Sequence, residues 1–293
     1  MPGIHDLKQF VPDWAFIARR QMIWQARCAT WSGRSLPSFL IIGAQKCGTT
    51  SLYDYLIEHP QLWAAHIKEV HFFDGGLDPT IDTFQKGESW YRANFPLKTA
   101  MQPGDHTFEA SPLYLFNPLV PQRIFELIPN TKLIVVLRNP TERAISHYFH
   151  EKRHHREHLD IADAMEIEEK RLAPKLKSQD YKSDTFIHLS YKSRGLYLEQ
   201  LERFLDYFPR KNLLVLESET FFQDPKSTLR RVCEFVDIDP QFQFKNLQPR
   251  NIAPNRVKVP PEVYSYLDNY FAPHNQQLYD FLGQKYTWST TLD

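Results

Sequence analysis

Phe39-Leu40-Ile41-Ile42-Gly43-Ala44-Gln45-Lys46-Cys47-Gly48-Thr49-Thr50-Ser51 is the stretch on which the architecture turns. Its first four residues form a short, wholly apolar run that ends at Gly43, the pattern of a parallel strand buried on both faces. Ser51 to Glu58 then reads as a helix. The glycines between them let the backbone turn tightly, so that consecutive N–H groups converge on one anion. The start of the helix adds its positive dipole end and its unpaired N–H groups. Lys46 supplies a point charge, Cys47 and Gly48 complete the turn, and Thr49, Thr50 and Ser51 supply hydroxyls. The segment reads as a phosphate cradle. It departs from the standard P-loop, in which the lysine directly follows the last glycine; here Thr49 follows Gly48 and Lys46 precedes it.

Outward from the cradle the pattern repeats. Lys132 to Leu137 is a second buried strand with a helix from Thr141, and Asn212 to Leu216 is a third, followed by a helix from Pro225 to about Phe235. Strands that alternate with helices require crossover connections and hence a parallel sheet. The predicted fold is a three-layer α/β sandwich with a central parallel sheet and a P-loop-like phosphate-binding loop. Residues 74–105, rich in Gly, Asp and Pro, read as a long excursion over the sheet. Residues 152–185 are highly charged with a break at Pro174, and read as solvated helices in preference to a mobile lid. Residues 1–36 stand apart, with Trp14, Trp24 and Trp31 and a basic bias. Asp13 can cap a helix there that runs to about Thr30, before a break at Gly33 to Pro37. We therefore divide the chain into an N-terminal helical extension, 1–36, and a main domain, 37–293. The extension's apolar positions form no single stripe, which favours packing on the main domain over contact with a membrane.

The 293 residues are 42% hydrophobic and 24% charged, fractions that exclude bulk disorder and fibrous repeats. Lys+Arg and Asp+Glu both number 35, so the chain is no general polyanion binder, no nucleic-acid partner is expected, and any anion site is built locally. Cys28, Cys47 and Cys233 form neither a disulfide framework nor a metal-ligand set. With no apolar stretch near 18 residues and no apolar leader core, the expected location is cytoplasmic.

Two further segments carry chemistry. Arg138-Asn139-Pro140, with Ser146 further along the helix, closes a strand where a nucleoside-triphosphate hydrolase would place an acidic Mg²⁺ ligand. Arginine there suits a second phosphate without metal, or pairs with a nearby carboxylate. In Lys68-Glu69-Val70-His71-Phe72-Phe73, read as extended, Glu69 and His71 share one face, and Val70 and Phe72 share the other. A carboxylate backed by aromatics can have a raised pKa and accept a proton near neutral pH. His147, His150, His154 and His158 recur at helical spacing, with His155 beside them, but nothing nearby fixes a metal geometry and none is expected.

Together these segments resemble the sulfotransferases that use 3′-phosphoadenosine 5′-phosphosulfate (PAPS), in the branch of the heparan sulfate sulfotransferases. The shared motifs are Lys46-Cys47-Gly48-Thr49, Glu69 to Asp74, and Leu137 to Ser146, with further matches from Tyr197 through Phe208, at Phe281-Leu282-Gly283 and at Trp288. The resemblance spans about residues 38–290 and implies PAPS as co-substrate, with no metal. It implies that Lys46 contacts the phosphosulfate, with Cys47, Gly48, Thr49, Thr50 and Ser51 in the cradle. Arg138 and Ser146 would bind the 3′-phosphate, and Arg256 would close on the cofactor. Glu69 would be the general base, with His71 the next candidate. Where the branch has a catalytic lysine, this chain has Ala110, in Glu109-Ala110-Ser111-Pro112, leaving Lys46 alone or helped by Lys68 or Arg143. The even charge balance argues against a long sulfated polysaccharide. The acceptor is thus expected to be a hydroxyl or amine of a sugar, lipid or small metabolite. The competing readings are a P-loop nucleotide kinase or ATPase, and a non-catalytic bisphosphate-nucleotide-binding protein. Strict Mg²⁺ dependence would mark the first, and binding without turnover the second.

Overall fold

The strands are β1 (Phe39–Gly43), β2 (Leu62–Ala64), β3 (His106–Ala110), β4 (Lys132–Leu137) and β5 (Leu213–Glu217). In the computed structural model, which describes residues 13–250 and 259–288, they form one sheet in the order β2-β3-β1-β4-β5, every pair parallel. β1 lies at the centre and is buried along its whole length. Its Phe39 pairs with Phe108 on one side and Lys132 on the other, and the two phenyl rings stack at 5.0 Å. At the carboxyl end of β1 a Cβ on Gly43 would stand 2.6 Å from Leu115 Cβ, so only glycine allows the chains to approach there.

The apolar runs predicted three of the five strands. β2 and β3 escaped because one is three residues long and the other reads His-Thr-Phe-Glu-Ala, three polar residues in five with no apolar run. Residues 74–105 between them contain the short helix α3 (Gly87–Arg92) and two 3₁₀ turns.

Helices α2 (Thr49–Leu56), α4 (Val120–Leu127), α5 (Pro140–Arg153), α8 (Tyr197–Leu205), α9 (Ser218–Gln223) and α10 (Pro225–Val236) follow or flank the strands. α5 starts where the Asn139 side chain caps the Thr141 N–H, and α10 where Asp224 caps Ser227. Because β1 leads to β2 on one side of the sheet while its neighbour β4 leads to β5 on the other, the carboxyl ends of β1 and β4 flank the switch point, where α/β folds place ligands.

A second apolar cluster joins α5 to α6 (Ile161–Lys177) and α11 (Pro261–Leu282) through Ile145, Tyr148, Met165, Leu267 and Phe271. This corrects two expectations for 152–185. Pro174 does not break α6, which runs three residues beyond it. Nor is the segment merely solvated, since Ile161, Ala164, Met165, Glu168 and Leu172 are buried.

Helix α1 (Asp13–Ala29) docks by its carboxyl-terminal turns, where Arg27 donates to the Ala93 and Phe95 carbonyls and Trp24 meets Trp90 edge-on at 5.7 Å. Trp14, Ile17 and Met22 on its first turns are exposed. No described helix is long and apolar enough to cross a membrane.

Candidate active site

The β1–α2 loop takes its shape from two residues in left-handed backbone, Lys46 at φ 70° and Gly48 at φ 98°. A Cβ on Gly48 would lie 2.9 Å from the Phe222 ring, so conformation and contact both require glycine. Gly48 caps α2, whose first-turn N–H groups no helical carbonyl can reach; they open on a cleft of about 800 Å³. Burial lowers the Lys46 ammonium pKa, and the nearby charges of Arg153 and Arg138 lower it further.

Of the residues singled out for the cradle, Lys46, Gly48, Thr49 and Thr50 line the cleft. Cys47 and Ser51 do not. Cys47 is fully buried behind the loop with its Sγ 3.8 Å from the Tyr197 hydroxyl, and burial pushes its thiol up to about 11. Ser51 is fully buried, and its hydroxyl accepts the Arg250 N–H at 2.9 Å. The 3.6-residue turn of α2 sends Ser51 inward, whereas Cys47, in the loop ahead of the helix, is turned inward against Tyr197. Arg256 lies outside the described residues.

Arg138, just past β4, lines the same wall, donating to the Lys46 carbonyl at 3.3 Å and to Glu142 at 3.2 Å. Phosphate ligand and carboxylate partner were posed as alternatives; the carboxylate contact is present and the guanidinium still reaches the cleft. Ser146, on α5, lines it too.

Across the cleft stands the 68–74 turn. It is not extended: Glu69 and His71 adopt φ 58° and 50°. Both still face the cleft while Val70 and Phe72 are buried, as expected of the facing though not of the backbone. The expected rise in the Glu69 pKa is reversed. Burial pushes it up, but the His71 hydrogen bond and the Lys68 charge outweigh burial and hold the carboxyl below its ordinary value. Glu69 is therefore ionised at neutral pH, able to accept a proton but a weaker base than a desolvated carboxylate. His71 sits 2.6 Å from Asp74 and 3.5 Å from Glu69. Burial would lower its pKa, yet these two carboxylates raise it to about 10, so it is an imidazolium and no base at neutral pH.

Lys68 joins the two walls, donating to Thr50 Oγ1 at 2.9 Å and lying 3.5 Å from Glu69. Arg143, the other cation proposed to stand in for the missing lysine, is fully buried and donates to the Tyr191 carbonyl, away from the cleft. Ala110 itself is buried in β3 beside Ile41 of β1.

The sequence reading missed a third wall. It comes from the end of α5, the short helix α7 (Asp184–His188) and the segment that follows, and brings Arg153, His154, Arg156, His188 and Arg194 to the cleft. Its anchor is Glu151, a fully buried side chain 2.9 Å from Arg156 and 3.4 Å from both His147 and His188. Burial pushes that carboxyl up, but its histidine and arginine partners hold it far below the carboxylate range. His150, lowered to about 4 by burial and by Lys46, is a neutral imidazole on the cleft wall. The helical histidine spacing was the one visible signal, and it marks this wall; among the described residues no group of three or more His, Cys, Asp or Glu is placed to hold a metal ion.

Comparison with known proteins agrees with this arrangement. The sulfotransferase domain family matches residues 36–255. Heparan sulfate glucosamine 3-O-sulfotransferase 5 of Homo sapiens is 29% identical, the alignment covering 87% of this chain and 75% of that protein. The membrane-associated sulfotransferase kil1 of Dictyostelium discoideum is 28% identical over 86% of this chain and 66% of its own length. A solved sulfotransferase from Alicyclobacillus acidocaldarius superimposes with a TM-score of 0.69 at 28% identity, covering 86% of this chain and 98% of that one. The cytoplasmic expectation is overturned by this set, in which a relative over most of the chain is named membrane-associated. That expectation rested on cysteine count and on missing apolar stretches, and neither locates a folded domain.

Proposed function

The chain belongs to the sulfotransferase family and is a sulfuryl-transferring enzyme, and from that premise we propose PAPS as the donor and a sugar hydroxyl as the acceptor. One observation carries the donor reading: a single cleft gathers the Lys46–Thr50 cradle, Arg138 with Ser146, and Glu69. The fit is chemical. An ammonium, a guanidinium, helix-start amides and hydroxyls suit two phosphate groups, and a volume of about 800 Å³ has room for a nucleotide and part of an acceptor. The acceptor class rests on relatives named for a glucosamine of heparan sulfate.

In this reading Arg138 and Ser146 hold the 3′-phosphate, while Lys46 and the first turn of α2 hold the 5′-phosphosulfate. Glu69 takes the proton from the acceptor hydroxyl as its oxygen bonds to sulfur and the bond from sulfur to the phosphate oxygen breaks. Lys46 neutralises the charge that collects on the departing oxygen. Lys68, with one contact on each wall, keeps Glu69 ionised. Catalysis is then mainly positioning and electrostatic stabilisation. The kinase and non-catalytic readings are not favoured, because the family match and the solved neighbour are both sulfotransferases.

A calorimetric titration tests the donor, using adenosine 3′,5′-bisphosphate without Mg²⁺ beside the 5′-monophosphate and ATP. Micromolar binding that needs the 3′-phosphate and weakens in Arg138→Ala is the expected result. Equal affinity for the 5′-monophosphate would sink the proposal.

A further inference from the structure

Behind the 68–74 turn lies a carboxylate that no step above uses. Glu109 is fully buried in β3, and three hydroxyls converge on it: Tyr91 at 2.6 Å, Ser111 at 2.9 Å and Tyr114 at 3.2 Å. Two of these hydroxyls are also acceptors. Ser111 Oγ receives the His71 N–H at 3.3 Å, and the Tyr114 hydroxyl receives the N–H of Phe72 at 2.9 Å and of Phe73 at 3.4 Å. A hydroxyl has one proton. An ionised carboxylate can only accept, so it draws both protons toward itself and leaves both oxygens facing the amides. The turn needs such a hold, because Glu69 and His71 stand in left-handed backbone that non-glycine residues avoid.

We propose that Glu109 is a positioning residue for sulfuryl transfer, orienting the Ser111 and Tyr114 hydroxyls so that they clamp the main chain of the turn carrying Glu69 and His71. The proposal rests on the assignment of that turn to the acceptor side of the reaction. The groups that face Glu109 are Tyr91 from α3, Ser111 and Tyr114 from the loop after β3, Asp74 from the turn and Tyr53 from α2. No cation is among these groups. Burial accordingly pushes the Glu109 carboxyl up to about 7, so the clamp is strongest above neutral pH and slackens as the carboxyl gains a proton.

The test is site-resolved amide hydrogen exchange on the whole chain, with an NMR titration of the His71 ring, for Glu109→Gln, Ser111→Ala and Tyr114→Phe. In Glu109→Gln the amides of residues 71–73 exchange faster by about tenfold or more, and the His71 ring titrates well below its raised value. In Ser111→Ala the faster exchange is confined to His71, and in Tyr114→Phe to Phe72 and Phe73. Adenosine 3′,5′-bisphosphate binds all three variants within about twofold of wild type, since the cradle is a separate loop. Unchanged exchange at 71–73, or acceleration spread evenly over the chain, would overturn the proposal. If Glu109→Gln does not fold, the residue-selective pattern of the other two decides. Glu69→Gln measured alongside separates the readings: if it still transfers sulfuryl groups at the wild-type rate, the base assignment fails while the exchange pattern still decides the clamp.

Discussion

At the cradle, left-handed Lys46 and Gly48 aim main-chain amides and the start of α2 into the cleft, and the loop hangs directly between a strand and a helix. Across from it, the Glu69–Asp74 turn is held by hydroxyls from Ser111 and Tyr114 that converge on a carboxylate 40 residues along the chain from Glu69. The first wall is made by backbone and local sequence, the second by buried side chains brought from elsewhere. They should fail differently. A wall of backbone loses the ligand when Lys46 at its centre is removed, whereas a networked wall loses alignment piece by piece.

The largest effects should come from the two groups that the proposed function places on reacting atoms. Lys46→Ala and Glu69→Gln should each lower turnover on the order of 100- to 1,000-fold, with the folded state retained by circular dichroism. Affinity for adenosine 3′,5′-bisphosphate should separate them, falling in Lys46→Ala and holding in Glu69→Gln. If Glu69→Gln keeps its activity, the neutral His150 on the third wall takes precedence over His71, which is already charged.

What could be read in the sequence follows the same division. Phe39–Gly43, the glycine loop and Lys132–Leu137 announce themselves because a doubly buried parallel strand is apolar throughout and a tight turn needs glycine. Lys46, Gly48, Thr49, Thr50, Glu69, His71, Arg138 and Ser146, singled out from the sequence, lie together on one cleft. The burial of Cys47 and Ser51 was invisible because the first depends on the loop folding against Tyr197 and the second on the phase of α2 and on Arg250, partners far along the chain. The lowered Glu69 pKa was equally invisible, since it is set by His71 and Lys68 and not by the aromatics behind it. The Glu151 wall, which gathers His147, Arg156 and His188, left only a histidine spacing as its trace.

A second prediction sharpens the contrast through stability. The Glu109 pKa is raised on folding, so the stability linked to its proton is fully present below the unfolded value of 4.5 and is lost as pH climbs toward about 7. The total is about 3 kcal/mol by pH 8. Urea denaturation of Glu109→Gln against wild type should show this difference opening between pH 5 and 8. Parallel curves would mean that the carboxylate is not desolvated.

Smaller still, Arg138→Ala should weaken nucleotide binding by roughly tenfold, the size of one charge-assisted contact. Ser146→Ala should weaken it by about threefold, as fits a single neutral hydroxyl. Calorimetry reads both. An Arg138→Ala variant with unaltered affinity would confine that side chain to its contacts with Glu142 and the Lys46 carbonyl.

All five strands run the same way, so every one of their carboxyl ends opens on a single edge of the sheet. The long insertions 65–105 and 138–212 each leave from that edge, one after β2 and the other after β4. The sheet thus behaves as a socket with a fixed electrical contact, the cradle with Arg138 and Ser146 beside it, and an exchangeable plug in 65–105. Exchanging 65–105 between relatives that share the cradle should move the choice of acceptor while the donor chemistry stays behind.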